Sequence, residues 1–403
     1  MNNIILVPPN GIQECYISVT KVGNMEKIYN KKASINELYG AGTGKTKEEA
    51  SKFANFEALE RIANSINCQK KIIDTYQSLK SQTADMTKFP KNAFFEQSLN
   101  PNFDEEQVTT WIETVDLLNK EIKLIPENYI YLFNDGNYYG DRVTNPISTG
   151  AALHENYNKA LINGIYEVIE RDSIALTWLL RNVNGNITHL FDDFDSKVFC
   201  SSFLGKVEFY DVSTVKNIIT VCAHAKAHHS KKVKNVLMFA CDTNFENIKR
   251  KLKKELISVM FSFSNEPLID EEKDFKTFTD VDQGGRFMAH YFNDEIFDFF
   301  NKAPVLKNIN YNNTTFDSDQ KELSYLLETL KKQNFSVFAT DITCREVIAK
   351  DLKAVKVVIP ELQPISFVYN SRYLASNRLK EFGEYIYGKN YLNKLNPYPL
   401  AFS

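Results

Sequence analysis

Ala160-Leu161-Ile162-Asn163-Gly164-Ile165-Tyr166-Glu167-Val168-Ile169-Glu170-Arg171 sets an acidic signature in apolar, helix-forming surroundings. Ala50-Ser51-Lys52-Phe53-Ala54-Asn55-Phe56-Glu57-Ala58-Leu59-Glu60-Arg61 repeats it. Both read A-x6-E-x-x-E-R, and 110 residues separate Glu57 from Glu167. At about 100° per residue, the two acids and the arginine share one side of each helix. Ala50, Phe53 and Ala54 lie on that side of the first helix, and Ala160, Gly164, Ile174 and Trp178 on that side of the second. The other faces are also largely apolar, and a helix that is apolar all round is as a rule buried. The four carboxylates are therefore expected in or near the interior, where unpaired charge is expensive.

Two carboxylates about 4 Å apart repel by roughly 4 kcal/mol at an effective dielectric of 20. Converging acids need cations, raised pKa values, or both. Hard oxygen ligands with few imidazoles suit Mg²⁺, which is held by a few carboxylates together with substrate phosphates. Arg61 and Arg171 are suited to neutralising phosphate or fixing carboxylates in bidentate fashion. One E-x-x-E-R on a helix ordinarily marks a solvated, ion-paired face. Two copies in matching apolar settings shift the reading towards a metal–phosphate site.

Two other features invite a chemical reading. Gly40-Ala41-Gly42-Thr43-Gly44-Lys45-Thr46 suggests a phosphate loop, but GxxxxGK[ST] needs a glycine where Tyr39 stands. The residues before it, Ala33 to Leu38, also make a poor strand. A glycine loop opening a helix can still touch phosphate through backbone N–H groups. Cys222, His224, His228 and His229 resemble a metal set. They fall on an expected strand and hairpin turn beside Lys226, Lys231 and Lys232, which suits a polar hairpin with one inward thiol better than zinc.

Around these motifs the chain reads as alternating elements. Short strands and turns are expected over 1–40, a helix over 47–80, and another over 100–125 opened by Asp104-Glu105-Glu106. A strand is expected at 129–133, a loop over 134–150, and a long helix over 155–182. Strands follow at 207–212 and 218–225, with 233–240 as a hairpin partner. Helices at 245–263 and 318–333 and strands at 335–341 and 355–360 complete a mixed α/β (α+β) chain. No Pro- or Ser-rich linker divides it, so residues 40–403 are expected to form one domain, with 1–39 leading into it.

Composition narrows the function classes. The chain has 403 residues, 43% hydrophobic and 25% charged, too apolar for a disordered protein. Forty-eight basic against fifty-one acidic residues exclude a generally basic nucleic-acid binder. The longest purely apolar runs, such as Ile4 to Val7, are too short to cross a membrane. No signal peptide is visible, and six scattered cysteines without a CxxC pair read as reduced thiols in a cytoplasmic protein.

Several ordered motifs together resemble the YcaO family. Ser148-Thr149-Gly150-Ala151-Ala152, then Ala160 to Asp172, resembles the family's S-T/N-G-x-A…E-A-x-x-x-G-L-x-E-x-x-E-R-D. Gly42-Thr43-Gly44…Glu49-Ala50…Glu57 to Arg61 is similar to its G-K-G…E-A…E-A-x-E-R block. Val357 to Pro364, continuing to Arg372-Tyr373-Leu374, is similar to V-x-V-P-G-L-Q-P…R-x-L, and Asn396 to Ser403 to the proline-rich tail. The resemblance spans about residue 40 to the C-terminus.

That resemblance implies a fold of mixed sheets with buried acidic helices forming an ATP and Mg²⁺ site. It implies ATP-dependent activation of a peptide backbone amide. A Cys, Ser or Thr side chain attacks the preceding carbonyl, the hemiorthoamide oxygen is phosphorylated, and phosphate leaves to give an azoline. Carried over by position, Glu57, Glu60, Glu167 and Glu170 are Mg²⁺ ligands. Arg61, Arg171, Glu255, Lys45 and Ser148 are nucleotide contacts. Pro397, Pro399 and Ser403 belong to a catalytic tail whose terminal carboxylate assists proton transfer. Fewer than about 40 residues precede the glycine-rich stretch, so a separate ThiF-like leader-binding partner is expected, along with the precursor peptide, a flavin-dependent dehydrogenase and a homodimeric state. Thioamide or amidine formation, or a catalytically weak scaffold subunit, are the alternatives. Phe53, Lys159, Thr43 and Ser258 depart from the family pattern, and the tail reads P-x-P-x-A.

Overall fold

The computed structural model describes residues 3–6, 16–21, 39–91, 103–132, 143–191, 205–227, 233–265, 269, 273–278, 280–290, 294–309, 311 and 313–402. Three antiparallel sheets form its frame. The first is β1 (Asn3–Leu6), β2 (Tyr16–Lys21) and β3 (Tyr39–Gly44), in that order. The second takes the order β4 (Ile72–Thr75), β5 (Val108–Asp116), β12 (Phe338–Asp341), β13 (Lys353–Val358), β7 (Ala151–His154), with β6 (Glu121–Pro126) also on β5. The third is β11 (Asn235–Asp242), β10 (Ile219–Ala227), β9 (Gly205–Asp211) and the short β8 (Gly185–Asn186).

Among the described residues, six α-helices of two turns or more accompany these sheets: α1 (Lys47–Ser65), α2 (Tyr157–Leu180), α3 (Phe245–Asn265), α4 (Gln283–His290), α5 (Asp319–Lys331) and α6 (Asn377–Tyr387). Thr46 caps α1 by accepting from the Glu49 N–H, and Asn156 caps α2 by accepting from Asn158 and Lys159. Helix α2 is buried on nearly every side, as its all-round apolar sequence requires. It packs against β7 and β13 of one sheet and β11 of another, so it joins the two layers.

The glycine-rich stretch is a strand, not a loop. Gly40, Gly42 and Gly44 face Ala58, Ala54 and Ala50 of α1 so closely that an added Cβ would meet helix backbone at 2.4, 2.2 and 2.5 Å. Alternate positions of a strand share one face, so G-x-G-x-G gives that face no side chains, and A-x3-A-x3-A answers it on the helix. The pattern is a close-packing device.

Other expectations change too. The helix expected over 47–80 stops at Ser65, and β4 begins at Ile72. The helix expected over 100–125 is instead the β5–β6 hairpin. Asp116 accepts from the Leu118 and Asn119 N–H groups, and Lys120 takes a positive φ in its turn. The strand expected at 129–133 does not form over the described residues: Tyr129 ends a turn of 3-10 helix (Glu127–Tyr129), and 130–132 are irregular. The long helix, the β9–β11 meander, α3, α5, β12 and β13 fall where the periodicity placed them. No described helix is long and apolar enough to cross a membrane.

Candidate active site

The sequence repeat is a structural repeat. In each half, a strand start and a helix together hold the first acid of E-x-x-E-R. The Ala41 N–H of β3 donates to Glu57 Oε2 at 2.8 Å, and the Gly150 N–H just before β7 donates to Glu167 Oε2 at 3.1 Å. Each acid also accepts from the arginine one turn later. Arg61 Nη2 lies 2.5 Å from Glu57 Oε1, and Arg171 Nη2 lies 3.3 Å from Glu167 Oε1. Gly150 has φ +84°, and a side chain there would strike the Val357 carbonyl oxygen at 2.1 Å, so only glycine brings this N–H to Glu167.

The second acids are held differently. Glu60 and Glu170 make no hydrogen bond or salt bridge among the described residues. Burial, with the charges of Glu167 and Glu57, pushes Glu60 well above the usual carboxylate range. Burial raises Glu170 to about 7, with Glu167 and Glu255 adding and Arg171 and Lys251 opposing. Glu255 of α3, an exposed residue, is also raised, by desolvation and then by Glu57. Carboxylates of three helices thus act on one another: Glu57 and Glu167 on Glu60, Glu167 and Glu255 on Glu170, and Glu57 on Glu255.

Two cations accompany this group, Arg171 from α2 itself and Lys356 from the sheet. Arg171 leaves Nε and Nη1 buried without a hydrogen-bond partner among the described residues, while its guanidinium lies 4.6 Å from the centre of the Phe402 ring. Lys356, in β13, is 1% exposed and donates to the Ile147 carbonyl at 2.7 Å. Desolvation lowers its pKa to about 8, while Glu167 and Glu60 favour its charged form. Both cations line a small cavity of about 80 Å³, whose other walls include Tyr129, Val168, Pro364 and Tyr373.

Beneath the recess, Asp172 is fully buried and anchors α2. It accepts from Thr214 Oγ1 at 2.6 Å, the Gln363 N–H at 2.7 Å, and Arg378 Nη2 at 2.9 Å. This ties the acid helix to the Pro360–Pro364 turn and to α6. Lys356 and Arg378 were not singled out by sequence reasoning. The available signal for Lys356 was one lysine in the apolar run Ala354-Val355-Lys356-Val357-Val358.

The remaining expected residues fall as follows. Lys45 is exposed at the entry to α1, where its N–H donates to Glu49 Oε2, and Glu49 pairs with Lys254 of α3 at 2.9 Å. Ser148 is exposed at the start of the β7 turn. Pro399 is buried and Pro397 exposed; the tail meets α2 where Trp178 Nε1 donates to the Tyr398 carbonyl at 3.4 Å and where Phe402 covers Arg171. Ser403 lies outside the described residues, as do His228 and His229. Cys222 and His224 are core residues of β10. His224 donates to or accepts from Asn235 at 3.0 Å, packs against Phe297 and Phe300, and is lowered by burial to about 3.

Among the described residues, no three His, Cys, Asp or Glu side chains come together as a ready-made metal cage. Mg²⁺ takes one or two protein carboxylates, with waters and phosphate oxygens completing its shell. Glu60 and Glu170 are the unsatisfied carboxylates, and Arg171 supplies the unsatisfied donors that phosphate oxygens would fill.

Two β–α units, each holding the first acid of an E-x-x-E-R motif, thus sit in one mixed α/β fold. The family profile described as YcaO cyclodehydratase, ATP- and Mg²⁺-binding, matches residues 41–363, and the chain belongs to the YcaO family. No curated protein matches. Solved structures share the fold at low identity. A heterocyclase in complex with substrate and cofactor matches with a TM-score of 0.75 at 14% identity, over 100% of this chain and 54% of that one. A chain of the E. coli microcin synthetase McbBCD complex matches at TM-score 0.67 and 14% identity, over 100% and 96%. The YcaO of Methanopyrus kandleri bound with AMPPCP and Mg²⁺ matches at 0.62 and 16%, over 92% and 86%. The chain thus spans about half the length of the first of these.

Proposed function

We propose that this chain uses ATP and Mg²⁺ to phosphorylate a backbone amide of a ribosomally made peptide, converting Cys, Ser or Thr to thiazoline or oxazoline. The observation that carries the reading is the acidic group itself, with Glu60 and Glu170 on two repeated helices accepting no hydrogen bond among the described residues and the free donors of Arg171 on the same helix as Glu170. Phosphoryl transfer asks little covalent chemistry of a protein beyond positioning and charge neutralisation.

Glu60 and Glu170, with Glu57 and Glu167 behind them, are the residues to hold Mg²⁺. Bound there, the ion neutralises charge on the phosphates of the co-substrate ATP. Arg171 orients phosphate through its two free N–H groups. Arg61 and the Ala41 N–H hold Glu57, and Lys356 offsets the charge of Glu60 and Glu167. The Phe402 ring of the tail covers one face of the Arg171 guanidinium. The precursor peptide and a separate ThiF-like partner complete the reading, as does azoline oxidation by a flavin enzyme.

Two departures from the family pattern have local explanations and do not speak for a scaffold. Lys159 pairs with Glu322 of α5 at 2.9 Å, and Phe53 lies under Lys254. Incubation with ATP, a Cys- or Ser-containing precursor and the partner should remove the mass of one water per ring. Exchange of oxygen for sulfur in the presence of sulfide would instead indicate thioamide formation. Glu167→Gln should abolish ATP consumption with the fold intact. Full activity in that variant refutes the site.

A further inference from the structure

A cleft of about 970 Å³ lies behind the small cavity of Arg171 and Lys356. The two spaces share Phe89, Pro90, Pro360 and Leu362 as a common wall. The cleft opens between α6, the turn after α5, the Asp85–Lys91 segment and the loop from β9 to β10. Lys91, Lys216 and Lys380 stand on three different walls, each exposed and without an ion pair among the described residues. Its other cations are already engaged: Lys88 by Glu361, Lys332 by Glu328 and Arg378 by Asp172. Glu361 is thereby neutralised, and Asp85 is occupied in capping its own turn. Three unpaired lysines against Asp85 and Glu381 leave the cleft with a small positive excess, although the whole chain is slightly acidic.

We propose that this cleft binds an acidic stretch of the precursor peptide. The proposal rests on the peptide-modifying reading above and adds the chemistry of the segment that the enzyme grips. Charge complementarity selects the acid. The walls select a peptide over a polyphosphate. Phe382, half-buried among the lysines, offers an apolar side chain that a peptide can pack against and a bare polyphosphate cannot. The shared wall places the cleft next to the reaction recess, so a segment held there delivers a neighbouring part of the same peptide to it.

The test uses fluorescence anisotropy with the complete chain and a labelled short peptide of alternating Glu and Leu, against the same peptide with Gln for Glu. The Glu peptide should bind more tightly, and salt should weaken it. The combined variant Lys91→Glu, Lys216→Glu, Lys380→Glu should lose about tenfold in affinity or more for it, while calorimetry shows unchanged ATP binding. Equal binding of the two peptides, or an unaffected variant, overturns the proposal. So does a single-stranded oligonucleotide of equal charge that displaces the peptide at equal concentration. The two readings fail separately. Charge-dependent peptide binding without ATP binding leaves the cleft assigned and removes the proposed reaction. ATP consumption with ring formation but no charge dependence removes the cleft alone.

Discussion

Gly42→Ala tests whether the glycine-rich segment is a packing strand or a phosphate loop. The added methyl meets Ala54 N at 2.2 Å, the Ala50 carbonyl oxygen at 2.5 Å and Phe53 C at 2.7 Å. All three are helix backbone, so no side chain can swing aside. Reaching ordinary contact requires β3 to retreat from α1 by about 1 Å, and overpacking of this kind costs about 1–3 kcal/mol. The same retreat stretches the 2.8 Å bond from Ala41 to Glu57, and a hydrogen bond to a charged group contributes about 1.5–3 kcal/mol. The expected loss is about 2.5–6 kcal/mol, read as a fall in the urea midpoint. ATP affinity should fall only as far as Glu57 is displaced, and Glu57→Gln should reproduce that part without the packing loss. An unchanged midpoint with a large loss of ATP affinity would show that the glycines contact phosphate and that the close-packing argument is wrong.

Three further outcomes follow from the recess. Glu170, raised to about 7, keeps a proton in the folded state that the unfolded chain has lost. Stability should therefore decline as pH rises from the usual carboxylate value to 7. Mg²⁺ should raise the melting temperature more at pH 8 than at pH 5.5, with about 1.4 kcal/mol at tenfold excess over its dissociation constant; equal effects at both would remove Glu170 from the metal site. Lys356→Met should weaken ATP binding about tenfold and cost about 1–3 kcal/mol by stranding the Ile147 carbonyl, measured by calorimetry and urea titration; a more stable variant with normal ATP affinity refutes its role as counter-cation. Asp172→Asn leaves Arg378 buried beside a neutral partner and should cost about 3–5 kcal/mol, and a urea-derived loss under about 1 kcal/mol would show that the pair does not anchor α2.

What could be read from the sequence follows from where the physical signal is local. The acids of α1 and α2 were legible because helical period and a repeated spacing act within a dozen residues. The β9–β11 meander and α3 carried strong periodic runs. The β5–β6 hairpin did not, because Thr109, Thr110, Trp111 and Ile112 are buried on both faces and the alternation disappears. The acids at 104–106 resembled a helix start but form a turn ahead of a strand. Strand β3 was unreadable alone, since its glycines make sense only against alanines of α1. Lys356 and Arg378 reach the site from strands and helices far along the chain, so nothing near Glu167 or Asp172 announces them.

The divided recess has a kinetic consequence. Its acids come from two β–α units and a third helix, so most of their mutual repulsion is absent until those units dock. If docking is a late event, the electrostatic cost falls on the native state and not on the folding transition state. Divalent cations would then act as a latch, slowing the unfolding limb of a chevron and leaving the folding limb nearly unmoved. Persistence of the assembled recess would be set by the ion supply of its surroundings as much as by its packing.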